Sequence, residues 1–195
     1  MFILYAVLIG LALGLLLHGR PASLGEIRLH WQWLMIGGLT VQVALFSEQV
    51  SSWIGAAGPP LYVASTAVVV AAVLRNRDIV GMPIVAYGAL CNLAAILANG
   101  GFMPASASAL ASLGKLAPSV YSNSSVVAAP ELAAFTDQFA LPRWLPFANV
   151  FSFGDMVIAI GVVFVIVAAM VRPSTDPNER ASEYGHAMGG IPAGR

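Results

Sequence analysis

Apolar positions along this chain gather into long unbroken runs, with little of the alternation that marks strands. Runs at about residues 2–17, 31–53, 60–74, 79–98 and 152–171 each predict a membrane-spanning helix. The length is right, since about 20 apolar residues at 1.5 Å rise cover a hydrocarbon layer roughly 30 Å thick. The first run lacks the basic segment that opens a secretory signal peptide, so it reads as a retained helix. It contains Gly10-Leu-Ala-Leu-Gly14, a spacing that lets another helix approach closely. The second is bracketed by Trp31 and Trp33 at one end and Trp53 at the other, about 33 Å apart along a helix, as interfacial aromatic belts require. Gly55-Ala-Ala-Gly-Pro-Pro60, Arg75-Asn-Arg-Asp78 and Asn99-Gly-Gly-Phe-Met-Pro104 separate later runs, with Gly and Pro opposing helix continuation.

Residues 105–148 form the one long connection, and connections of that length are commonly functional or disordered. Leu110, Leu113 and Leu116 predict a short amphipathic helix within it. Pro142-Arg-Trp-Leu-Pro146 reads as a segment lying on the membrane with Trp144 at headgroup level. Asn123-Ser-Ser125 is a glycosylation sequon, a pattern weak by its frequency. Residues 173–195 are polar and bear Gly and Pro, which predicts a disordered cytoplasmic tail. The expected fold is therefore all-α integral membrane. Five transmembrane helices over residues 1–172 carry a long extracytoplasmic segment between the fourth and fifth.

Composition agrees. The chain of 195 residues is 58% hydrophobic and 9% charged, with mean hydropathy +0.82, where a soluble domain carries about 25% charged residues. A formal net charge of zero gives no electrostatic case for nucleic acid. Cys91 is the single cysteine and sits in an apolar helix pattern, so it has no internal disulfide partner and reads as a packing residue. His18, His30 and His186 are scattered without ligand spacing, and neither a metal nor a cofactor is expected.

Charge bears on orientation. Arg20, Arg28, Arg75, Arg77, Arg172, Arg180 and Arg195 fall on one side of a five-span topology, and only Lys115 and Arg143 fall on the other. Basic residues stay on the cytoplasmic side. The N-terminus is therefore expected outside a plasma (inner) membrane and the C-terminus in the cytoplasm. Glu48, Asn99, Asp137 and Asp155 then converge on the outer face.

Candidate chemistry centres on Asp155, which opens the last run, because carboxylates at such depth must be desolvated or paired. Two readings stand side by side. Ser152-Phe-Gly-Asp155 fits a capping box, with Asp155 also facing the positive end of the helix dipole. Alternatively, Asp155 binds or reacts at the membrane surface. Asn92, well inside the fourth run, reads either as an interhelical hydrogen-bonding group or as a site residue. Asn99, Gly100 and Gly101 stop a helix, and their bare N–H groups are suited to an anionic group or a peptide. Glu48 either snorkels to the headgroups or faces the bundle.

Asn99-Gly-Gly-Phe-Met-Pro104 and Ser152-Phe-Gly-Asp155, each at its helix end, resemble the N-G-G-x-M-P and S-x-G-D elements of an uncharacterised bacterial family of small five-helix membrane proteins. That resemblance spans roughly Tyr5 to Val171 and implies a fold and a location, with no activity attached. Gly88-Ala-Leu-Cys-Asn-Leu-Ala-Ala95 and Phe151-Ser-Phe-Gly-Asp155 are also similar, more faintly, to two elements of lipoprotein signal peptidases, with Asp137 where an intervening aspartate would stand. Such enzymes use two carboxyls that share a proton. Here Ala95 replaces the first catalytic aspartate, so the resemblance leaves Asp155 and Asp137 as the catalytic candidates.

The function expected is binding of a lipid-like or peptide ligand, or of another membrane protein, at an outward-facing polar pocket in contact with membrane lipids. Glu48, Asn92, Asn99, Gly100, Gly101 and Asp155 are its candidate residues. An aspartyl peptidase-like intramembrane hydrolase and a structural membrane subunit without a site are the alternatives.

Overall fold

The computed structural model describes residues 2–114, 127 and 129–172, without the side chain of Glu48. The expectations for Leu116, the Asn123 sequon and the tail 173–195 lie outside the described residues, as does that for the Glu48 carboxylate. The protein is mostly helical: α1 (Phe2–Leu16), α2 (Gln32–Leu45), α3 (Glu48–Ile54), α4 (Gly58–Arg75), α5 (Met82–Ala98), α6 (Ala107–Ser112) and α7 (Phe153–Val171). A 3-10 turn, Pro21–Glu26, follows α1. Two strands, β1 (Phe139–Ala140) and β2 (Val150–Phe151), pair antiparallel just before α7. Two helical stretches, Gln49–Arg75 and Phe153–Val171, are long and apolar enough to cross a membrane; α1, α2 and α5 are shorter apolar helices.

One predicted element divides. The run 31–53 forms α2 and α3 with a break at Phe46 and Ser47. Ser47 is extended, and its hydroxyl donates back to the Ala44 carbonyl at 2.7 Å, an alternative to the next helical hydrogen bond. The Phe46 ring meets Tyr62 edge-on at 4.9 Å and ties the break to α4.

The long helices form a curved row in the order α2, α4, α5, α7, α1, each packed on the next. Close approaches give their directions. Gly10 lies against Ile166 and Gly14 against Met170, so α1 and α7 run parallel. Gly81 meets Gly161 and Gly88 meets Gly154, so α5 and α7 run antiparallel. A Cβ on Gly88 would stand 2.5 Å from the Gly154 carbonyl, and one on Gly81 2.6 Å from the Gly161 carbonyl. Backbones this close require both positions to lack a side chain. At the other side of the row, Gly38 rests on Ser65 and Val69, and His30 is gripped by the Asn76 side chain. Hence α2 and α4 are antiparallel. The starts of α1, α4 and α7 and the ends of α2 and α5 share one end of the row.

Buried apolar residues cluster at both ends. Leu45, Tyr62, Ala95, Ile96 and Met103 pack near the shared end, and Val73, Met82, Val85 and Ala86 near the opposite one. Many large apolar side chains face outward instead, among them Leu16 at 73% exposure, Trp33 at 76% and Val43 at 74%. Over the shared end lies a cap made of α6, the strand pair and the 3-10 turn Ala133–Phe135, with Ala105, Ala109, Leu110 and Val150 as its own small core. Stacked rings fix the cap to α1, Phe2 on Phe151 at 4.2 Å, and Phe139 extends the stack within the cap at 5.5 Å from Phe151.

Candidate functional site

Local sequence builds the first half of the site. Ser152 accepts from the Asp155 N–H at 3.0 Å, and the Asp155 carboxylate accepts from the Ser152 N–H at 3.2 Å, completing the expected capping box. The second half comes from α5. Asn92 donates its amide N–H to Asp155 Oδ1 at 2.8 Å and accepts the Ser152 hydroxyl proton at 2.8 Å on Oδ1. Asn92, 60 and 63 residues before Ser152 and Asp155, thus closes a ring with them in which Asp155 uses both oxygens. Ser152 is fully buried, so its hydroxyl depends on these partners. Gly154 makes the ring possible, because a Cβ there would collide with Asn92 Oδ1. Asn92 is thus the interhelical hydrogen-bonding group and Asp155 the cap of the sequence reading, and both border a cavity.

That cavity, of about 560 Å³, lies under the cap at the shared end of the row. Phe2, Ile3, Leu4 and Val7 of α1 form one wall, and Tyr62, Ile96 and Met103 stand on the inner side. Gln42, Asn92, Asp137, Asn149 and Asp155 supply its polar groups. Residues of α1 and of α2 line the same space although these helices, at opposite ends of the row, are not a packed pair among the described residues. The cavity volume is in the ordinary range for small-molecule sites, roughly 300–1,000 Å³. Its two charged groups, Asp137 and Asp155, are both acidic; among the described residues none of its lining is basic. Asp137 is 5% exposed, held by its backbone between Pro104 and Ser106.

The other candidates go elsewhere. Asn99 shares the end of the row with Asp155, yet the two do not meet and Asn99 does not line the cavity. Its side chain donates to the carbonyls of Ala95 and Glu131 and accepts from the Glu131 N–H, pinning the cap to the end of α5. Gly100 and Gly101 adopt positive φ, 68° and 88°, and Gly101 lies against Pro59. They border a separate, shallower hollow of about 380 Å³ with Pro59, Pro60 and Leu97. Asn99, Gly100 and Gly101 form the helix stop read from the sequence, and this geometry does not bring them beside Asp155. Among the described residues, no three His, Cys, Asp or Glu side chains gather as a metal site would require.

Sequence reasoning missed several participants. Gln42, which donates to Thr66 Oγ1 at 3.3 Å, lines the cavity. Asn149, in the stretch before α7, lines it as well. Gly88 and Gly154 make the α5–α7 contact that brings Asn92 to Asp155. The seven-residue spacings Gly81–Gly88 and Gly154–Gly161 match across the two helices, a correspondence that shows only once these are known to be neighbours.

Neither the curated proteins nor the solved structures contain a match to this chain. Neither comparison supports the likeness to signal peptidases. Residues 26–167, from before α2 to near the end of α7, match a family of unknown function, DUF5317. With the greater part of its length in that match, the chain belongs to the DUF5317 family.

Proposed function

We propose that this protein is a five-helix plasma-membrane protein that binds an amphiphilic, lipid-like ligand in the cavity between α1 and α2. The observation that carries this reading is the cavity itself. An apolar wall from α1 faces a polar end built by Asn92, Asp137 and Asp155, which suits a molecule with a tail and a head. The outward-facing apolar side chains of α1, α2 and α7 are those expected of helices bathed in lipid. Arg20, Arg28, Arg75, Arg77 and Arg172 lie at the end of the row opposite the cavity, so the positive-inside rule turns the cavity outward. A ligand reaching it sideways would pass between α1 and α2.

A second reading, hydrolysis by a carboxylate pair, is favoured by one observation: Asp137 and Asp155 line the same space. The ring around Asp155 weighs against it. A shared-proton dyad needs a carboxyl free to take up and release a proton, and both Asp155 oxygens are engaged by donors.

Native mass spectrometry of the protein purified in mild detergent tests the binding reading. The wild type is expected to carry a co-purified amphiphile and Val7→Phe, which fills the cavity from α1, to lose it. Equal occupancy in both proteins would remove the reading's support.

A further inference from the structure

We propose that the hollow between the 3-10 turn Pro21–Glu26 and the end of α7 holds a phosphate group, carried by a phospholipid or free in solution. It lies at the end of the row opposite the cavity, has a volume of about 430 Å³, and is independent of the binding reading above. Ser23 and Glu26 of the turn line it, with Arg28 just after them and Ala169 and Arg172 at the end of α7. The turn is seated firmly. The Arg20 N–H donates to the Met170 carbonyl at 2.8 Å, and a Cβ on Gly19 would stand 2.8 Å from Met170 Cβ. The two sides of the hollow are thereby fixed relative to each other. Ser23 is the first pointer to a ligand. It is 6% exposed, it lines the hollow, and among the described residues its hydroxyl has no hydrogen-bond partner. Its N–H is spent on the Arg20 carbonyl at 3.1 Å. A hydroxyl withdrawn from water without a partner is costly, and a bound group that supplies one relieves that cost.

Arg28 and Arg172 are the second pointer. Each guanidinium is a fixed fork of N–H donors without an acceptor, and among the described residues neither makes a hydrogen bond or an ion pair. Glu26 borders the same hollow and bonds to neither. Negative groups do face the space. Glu26 brings one carboxylate, and the end of α7 brings roughly half a negative charge from its dipole, although Arg20 already occupies the Met170 carbonyl there. Two guanidinium groups outweigh both. Forked donors match the geometry of an oxyanion, and basic pockets at the cytoplasmic ends of membrane helices suit phosphate heads. A terminal phosphate has three acceptor oxygens, one for each arginine and one for the Ser23 proton. A carboxylate has an oxygen too few, and an uncharged hydroxyl would satisfy Ser23 while leaving both forks unused.

Native mass spectrometry on the full chain in a nonionic detergent tests this, comparing a short-chain phosphatidic acid with the diacylglycerol of the same chains. The wild type is expected to hold phosphatidic acid at least about tenfold more tightly, the scale of charge-assisted hydrogen bonds. Arg28→Gln and Arg172→Gln should each cut that preference severalfold and together abolish it. Both side chains are exposed, so neither change disturbs packing. Arg75→Gln and Arg77→Gln, at the same end but outside the lining, should leave the preference intact. Ser23→Ala separates ligand from structure. It should weaken phosphatidic acid severalfold while the thermal midpoint of the ligand-free protein holds or rises, because no partner is lost. Displacement by millimolar inorganic phosphate would assign the site to free phosphate, and resistance to it would assign the site to the lipid; either result supports a phosphate site. Equal binding of the two lipids would overturn the proposal. So would a preference that survives the Arg28→Gln, Arg172→Gln pair, or one lost equally in Arg75→Gln and Arg77→Gln.

Discussion

Asn92 illustrates how one side chain serves packing and site together. Its amide gives a proton to Asp155 and takes one from Ser152, so the helix joint and the cavity's polar end rest on the same group. Truncation to alanine would leave the fully buried Ser152 hydroxyl without its acceptor and Asp155 Oδ1 without its donor. Losses of that kind cost about 1–3 kcal/mol each. Asn92→Ala is therefore expected to lower the thermal midpoint in detergent clearly, and Asn92→Asp more so, by setting two carboxylates in contact. Ser152→Ala removes the cap and the second bond together, and about 1 kcal/mol or more should follow. A midpoint unchanged in all three variants would contradict the ring. The Ser152–Asp155 half of this arrangement was legible in the sequence because four consecutive residues contain it. The Asn92 half was not, since nothing local says which of two distant helices will lie beside Asn92.

At the scale of elements, the contact between α5 and α7 decides the site's geometry. Gly81, Gly88, Gly154 and Gly161 remove the bulk that would otherwise hold the two backbones apart. Replacing Gly88 or Gly154 by alanine puts a methyl into backbone or into Asn92, and overpacking of this sort costs about 1–3 kcal/mol. Gly154→Ala should in addition break the Asn92–Asp155 bond, so its loss of ligand binding should exceed its loss of stability. Gly37, with nothing near it, is the control: Gly37→Ala should leave both unchanged. The helical runs were readable from apolar length, whereas the break at Phe46 and Ser47 was not. The apolar run is continuous there, and the tryptophan spacing fits one long helix as well as two short ones. In a chain with 19 glycines, the four that matter also do not announce themselves. Their spacing becomes informative only once the two helices are known to be neighbours.

For the whole molecule, the cap on one end of the helix row and the arginines on the other carry the proposed direction in the membrane. Single cysteines introduced into a Cys91→Ser background read it out. A membrane-impermeant maleimide on intact cells is expected to label Trp144→Cys, in the exposed turn of the cap, and to reach Arg77→Cys only after lysis. The reverse pattern would invert the proposed orientation. The shared end itself could be inferred from the sequence, because alternating helix directions put Glu48, Asn99, Asp137 and Asp155 together on any five-span count. What lay beyond reach was the meeting of Asp155 with Asn92 rather than Asn99, seven residues further along, which depends on how far α7 slides along α5.

The seating of α1 has a consequence for kinetics. It forms an entire wall of the cavity, yet its packed partner among the long helices is α7, through Gly10 on Ile166 and Gly14 on Met170. A partition fastened along one edge, and at its cap end by Phe2 on Phe151 and Tyr5 on the Pro146 carbonyl, can swing only as far as those ties yield, so entry and exit would be governed by them while affinity is governed by the cavity's lining. Gly10→Leu, which wedges the edge open, should accordingly speed ligand exchange by more than it changes the equilibrium constant.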